Sequence, residues 1–193
     1  MSMHPNPPRK VFCAPGRDET YRDTLRGLIP EDGAEISAVD FTREFGRLAF
    51  AEQVELFRRI IEESYWSKEA LLLGRSFGAW ILLNALVACR ETFPGTVVLI
   101  ASVLGSGGAD GFHHISPRNQ RFWDRVETRP SAPARRLVLL HAVDDEQCPC
   151  ALAVRLCQLW GAELVRFKSG GHGLGARTQR KMVAKTIERI WST

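Results

Sequence analysis

The sequence predicts an α/β fold: a six-stranded, mainly parallel sheet with helices on both faces. Three observations predict it. Apolar runs of strand length alternate with segments of helical periodicity along almost the whole chain. One run, Thr96-Val97-Val98-Leu99-Ile100-Ala101, is apolar without interruption, as in a parallel strand covered on both faces. One helix, Ala79 to Cys89, is apolar nearly all round, as in a helix buried against a sheet centre.

Taken in order, Met1–Arg9 is Pro-rich without an apolar stretch, so it reads as a flexible tail and not a secretory leader. Residues 10–193 then read as a single domain. Val11-Phe12-Cys13-Ala14 is the first strand and ends in Pro15-Gly16-Arg17. Asp18 to Leu28 should hold a helix with Leu25 and Leu28 facing inward, closed by the punctuation of Pro30–Gly33. Glu35 to Phe41 alternates as a second strand. From Phe50, the residues Val54, Phe57, Ile60 and Ile61 recur at helical spacing. Ala70–Leu73 is a third strand leading into Gly74-Arg75-Ser76-Phe77-Gly78 and the apolar helix.

After the Thr96–Ala101 strand the least regular part runs from Ser102 to Arg136, with a short helix expected near Asn119–Val126. Its glycines, Gly105, Gly107, Gly108 and Gly111, suggest a nucleotide loop, but Asp110 stands where a third glycine belongs, so a flexible connection is the better reading. His113 and His114 read as solvated loop histidines rather than metal ligands. Leu137–His141 is the next strand, Ala151–Trp160 a helix, Glu163–Phe167 the last strand and Ala176–Ile190 the closing helix. The Ser102–Arg136 segment is too short for a large cap domain, so the site should be open, with Phe112 or Trp123 as candidate lining.

Composition narrows the function classes. The chain has 193 residues, 45% hydrophobic and 25% charged, as expected for a soluble globular protein. Its net charge of +4 is spread along the chain and does not argue for nucleic acid or a membrane surface. No apolar run reaches membrane-span length. Cys13, Cys89, Cys148, Cys150 and Cys157 are odd in number and lack a Cys-x-x-Cys pair. That argues against a disulfide framework and for a reducing, cytoplasmic setting. The same spacing disfavours zinc and redox pairs.

Gly-x-Ser-x-Gly between a strand and an apolar helix is the layout of a nucleophile elbow, which presents the serine hydroxyl on a sharp turn. A serine needs a base to take its proton, and an imidazole needs a carboxylate on its far nitrogen. Ser76, Asp145 and His172 follow in that chain order at the expected carboxyl ends of three strands. Asp144 is adjacent to Asp145, and either could cap the helix beginning near Pro149. Arg75 reads as a strand-end residue paired with a carboxylate, and His141 as a strand-end histidine packed under a loop.

On these motifs the chain resembles a small α/β-hydrolase of the serine esterase type, over nearly its whole length. His141-Ala142-Val143-Asp144-Asp145-Glu146-Gln147-Cys148-Pro149 is similar to that family's His-Gly-x-x-Asp-x-x-Val-Pro segment, with Ala142 for Gly and Cys148 for Val. Gly171-His172-Gly173 is similar to its histidine loop. The resemblance implies Ser76, Asp145 and His172 as catalytic triad, with Phe77 and Arg17 backbone N–H groups as oxyanion hole. It also implies a sheet lacking the family's first hairpin. Pro15-Gly16-Arg17 departs from the family's His-Gly-x at its first position. The Arg17 guanidinium would be free to meet an acidic or polar acyl group. The implied reaction is hydrolysis of carboxylic esters, or of thioesters or amides, with a small-molecule acyl substrate and neither metal nor organic cofactor. Acyl transfer on the same triad, a non-catalytic binding protein on this scaffold, and a flavodoxin-like nucleotide-binding protein are the rivals.

Overall fold

Side chains in the central strands alternate strictly between two apolar layers, and that alternation organises the molecule. The computed structural model describes residues 8–30, 33–107, 113–114 and 116–192. Strands β1 (Arg9–Ala14), β2 (Ala34–Ala38), β3 (Leu71–Arg75), β4 (Phe93–Ile100), β7 (Ala134–Ala142) and β8 (Glu163–Phe167) form one sheet in the order β2-β1-β3-β4-β7-β8. Every pairing is parallel. Between them, β5 (Ser106–Gly107) and β6 (His113–His114) form a separate antiparallel ladder.

Phe12, Leu72, Val97, Leu99, Leu137 and Leu139 face one layer. Val11, Cys13, Leu71, Leu73, Val98, Ile100, Val138 and Leu140 face the other. Both faces of a strand are buried here because helices cover both sides, which is why these strands read as unbroken apolar runs. Helices α2 (Phe50–Ile60), α3 (Ser76–Ala88), α4 (Pro117–Thr128) and α5 (Cys150–Trp160) supply the first layer. The second is closed by α6 (Arg177–Ser192), through Val183, Ile187 and Ile190, and by Leu25 and Leu28 behind the short α1 (Tyr21–Thr24).

The first layer is rich in rings. Phe57 is fully buried and packs edge-on to Phe12 at 5.2 Å, with Phe45 at 5.8 Å and Phe41 at 6.5 Å. Trp80, on α3, meets Phe50 and Phe122. These contacts anchor α2 to the sheet beside the loop that follows β1.

Several bounds differ from those predicted, for local reasons. The helix expected over Asp18–Leu28 is a single turn, because Gly27 adopts a positive φ and the chain turns to bury Leu25 and Leu28. The second strand stops at Ala38, where Asp40 instead accepts the Tyr21 N–H at 2.6 Å. Arg9, assigned to the tail, pairs in β1 opposite Ala34. The helix near Asn119–Val126 is longer, since Ser116 caps it through the Asn119 N–H and Pro117 starts it. Trp123 does not line a site: it is buried and donates its indole N–H to Leu104 O at 3.0 Å. Phe112 and the stretch from Gly108 to Gly111 lie outside the described residues, as do the side chains of His113 and His114. All five cysteines are free, and four are buried. Among the described residues no helix is long and apolar enough to cross a membrane.

Truncating the ring at the centre of the first layer tests this account. Phe57→Ala should lower the unfolding free energy by about 3–5 kcal/mol, measured by urea denaturation. A loss well under about 1 kcal/mol would contradict the burial described.

Candidate active site

The strand order reverses direction between β1 and β3. From β1 the chain moves outward to β2, and then returns to the far side of β1 to form β3. The loops leaving β1 and β3 therefore diverge and open a crevice at the carboxyl edge of the sheet, where open α/β sheets bind their ligands. Pro15-Gly16-Arg17 lies on one side of that crevice and Ser76 on the other.

The two glycines around Ser76 are demanded by space. A Cβ at Gly74 would come within 2.6 Å of Ala79 Cα. One at Gly78 would come within 2.1 Å of Pro15 O and 2.3 Å of Ala14 O. The unusual backbone angle falls on the serine itself, which sits at φ 50° between strand and helix. That conformation costs a non-glycine residue roughly 1–3 kcal/mol and persists only where the surroundings enforce it. Here the enforcing contacts are the backbone of β1 and the first turn of α3.

From that turn the Ser76 hydroxyl reaches His172. Oγ and Nε2 are 2.8 Å apart, and on the other side of the ring Nδ1 lies 3.0 Å from Asp145 Oδ2. His172 stands in the loop after β8, and Asp145 in the loop after β7. The sheet thus gathers residues 69 and 27 positions apart in sequence into one chain of hydrogen bonds. Asp145 is the acid that reaches the ring, as the sequence register implied.

Asp145 is held from every side. Its Oδ1 accepts the Gln147 N–H at 3.0 Å and the Cys148 N–H at 2.8 Å, while α5 starts from Pro149 with no side-chain cap. His141, buried beneath, brings Nε2 within 3.3 Å of Oδ2 and 2.6 Å of Cys148 O. Burial alone would raise the pKa of Asp145. Hydrogen bonds from His141, His172 and the Cys148 N–H outweigh it and hold the carboxyl well below the usual carboxylate range.

Three ties were not visible in the sequence. Asp144 accepts the Gly170 and Gly171 N–H groups at 3.2 and 2.9 Å, so it pins the loop that carries His172. Glu19 accepts the Gly16 N–H at 2.9 Å and pairs with Arg75, bracing the loop after β1 where the family pattern has another residue. Arg75 also reaches Gly173 O at 3.4 Å, so one side chain spans the loops after β1 and β8. The pairing of Arg75 with a carboxylate was expected; the identity of the carboxylate, 56 residues away, was not.

Two further features complete the site. Phe77 N–H lies in the first turn of α3, where no intrahelical carbonyl is available to it. The Arg17 N–H, in a turn closed by Glu19 N–H to Gly16 O at 3.2 Å, is the second candidate donor. Beside them is a cleft of roughly 360 Å³, lined by Arg17, Phe41, Leu48, Phe50, Phe77 and Arg118 among others. A wider cleft of 640 Å³ includes Ala88 and Arg90, at the end of α3 about 18 Å from Ser76. Asp145, Cys148 and His172 also present ligand-type atoms within 4.8 Å of one another. They suit a metal poorly. The carboxylate and Nδ1 are engaged with each other, and burial pushes the Cys148 thiol up to about 12, so it stays protonated.

No protein-family model matches the sequence. No curated protein matches it either. Its fold is that of known structures. Alpha/beta hydrolase domain-containing protein 10 from mouse superposes with a TM-score of 0.70 at 13% identity, over 94% of this chain and 88% of that one. A monoacylglycerol lipase from Paleococcus ferrophilus gives 0.71 at 16% identity, over 96% and 95%. The esterase domain of a Rhodothermus marinus protein gives 0.66 at 16%, over 97% and 88%. The chain therefore has the α/β-hydrolase fold, in a form with six strands in its main sheet and no large cap among the described residues.

Two measurements check this geometry. Gly78→Ala forces a methyl group into the Ala14 and Pro15 carbonyls, so it should destabilise by about 1–3 kcal/mol in urea unfolding; an unchanged midpoint would refute the close approach. Because the folded-state pKa of Asp145 is depressed, its contribution is present above the unfolded carboxylate value and lost as pH falls through and below it. The stability of the wild type relative to Asp145→Asn should therefore decline as pH drops below about 4. A difference independent of pH would show that the carboxylate is not so held.

Proposed function

We propose that this chain is a serine hydrolase that cleaves carboxylic esters through an acyl-enzyme on Ser76. The observation that carries this reading is the unbroken line from Ser76 Oγ through the His172 ring to Asp145, at 2.8 and 3.0 Å. An ionised carboxylate on Nδ1 keeps the Nδ1–H tautomer, leaving Nε2 free to accept the serine proton.

The chemistry follows from those contacts. Nε2 takes the hydroxyl proton as Oγ attacks the substrate carbonyl carbon, and the carbonyl π electrons move onto oxygen. The Phe77 and Arg17 N–H groups meet that oxyanion. When the intermediate collapses, the bond to the alcohol oxygen breaks and the imidazolium returns its proton to the departing alcohol. Water then attacks the acyl-serine, giving one proton to Nε2, and collapse returns Oγ to its protonated state and releases the acid. Asp145 stays ionised throughout and stabilises the transient imidazolium.

Esters are favoured over other acyl compounds because two of the solved proteins that share the fold are named an esterase domain and a monoacylglycerol lipase.

Wild-type protein should hydrolyse p-nitrophenyl esters and be labelled covalently by a fluorophosphonate, while Ser76→Ala should lose at least about a thousandfold in kcat and all labelling. Equal rates for the two proteins would rule out the mechanism.

A further inference from the structure

The cleft beside Ser76 carries charge that the packing of its walls does not require. Arg17 holds its guanidinium 4.5 Å over the Phe77 ring, and Arg118 holds its own 4.4 Å over the Phe50 ring. All four residues line the cleft. Four other arginines find carboxylates: Arg58 pairs with Glu55 and Glu62, Arg75 with Glu19, Arg136 with Glu163 and Arg155 with Glu127. Neither Arg17 nor Arg118 has a carboxylate partner among the described residues. Asp18 lines the same cleft and pairs with neither, so two cations face one acid there.

Stacking on a ring occupies one face of a guanidinium and leaves its edge N–H donors pointing away. A fork fixed in this way loses less freedom when it meets an oxyacid. The volume of roughly 360 Å³ suits a small molecule. Phe77 connects the cleft to the reaction, because its N–H faces the acyl oxygen in the proposed mechanism while its ring walls the cleft.

Resting on that mechanism, we infer that the preferred substrate is an ester whose acyl chain ends in an anionic oxyacid group, a carboxylate or a phosphorus oxyacid. Arg17 and Arg118 bind the anion, and Phe50 and Phe77 flank the chain.

The test compares three p-nitrophenyl esters with the same leaving group: the valerate, the hemiglutarate, and the 4-phosphonobutanoate. One or both anionic esters should exceed the valerate in kcat/KM by roughly tenfold at low salt. The excess should shrink as ionic strength rises. The ratio of anionic to neutral ester should approach one in Arg17→Gln/Arg118→Gln, and the better anion identifies the oxyacid. Calorimetry with glutarate and methylphosphonate gives a readout that needs no turnover: binding should depend on the same two arginines. Equal use of neutral and anionic esters, a preference that survives the double variant, or no arginine-dependent binding overturns the inference. If Ser76 is still labelled by the fluorophosphonate in that event, the hydrolase reading stands and only the anionic preference falls.

Discussion

The structure depends on a backbone contact that only glycine permits. The first turn of α3 packs against the carbonyls of Ala14 and Pro15 so closely that a Cβ at Gly78 would overlap them, and Gly74 faces the same helix from β3. This contact brings the end of β1 against the end of β3, at the point where the strand order reverses. It also holds Ser76 at a positive φ that a serine on an unconstrained turn would leave. Everything proposed for the site begins from a hydroxyl fixed in that direction.

Around this fixed point the site is a set of loops tied to one another by charge. Glu19 braces the loop after β1, Arg75 joins it to the loop after β8, and Asp144 pins the latter from the loop after β7. Asp145 is surrounded by donors, so its orientation does not depend on His172 alone. The carboxylates of Glu19, Asp144 and Asp145 are thereby satisfied, and Ser76, His172 and Asp145 form one hydrogen-bonded line between the tied loops. The cleft beside it differs in kind. Its arginines rest on aromatic rings and have no acidic partner among the described residues, which leaves their charge available to a ligand.

Much of the fold was legible because burial on both faces of a parallel sheet writes itself into sequence as apolar runs. Glu163–Phe167 was read with its observed bounds, and Thr96–Ala101 differed mainly at its start. Where structure is set by capping or by a distant acceptor, residue pattern alone does not mark the bounds. The second strand ends early because Asp40 turns to Tyr21, and α4 is extended by the Ser116 cap and Pro117. Trp123 is a candidate lining residue by sequence but is buried, because the pattern of the helix near Asn119–Val126 does not say which of its faces packs inward.

The sequence by itself determined the elbow, the order Ser76–Asp145–His172 and the alternation that builds the sheet, since each is written in neighbouring residues or in periodicity. Tertiary structure alone decided what restrains the loops and which arginines have no carboxylate partner among the described residues. Those outcomes rest on contacts between residues tens of positions apart, such as Glu19 with Arg75 and Asp144 with Gly171. They exist only once the strand order has set β1, β3, β7 and β8 side by side in one sheet with their carboxyl ends at one edge.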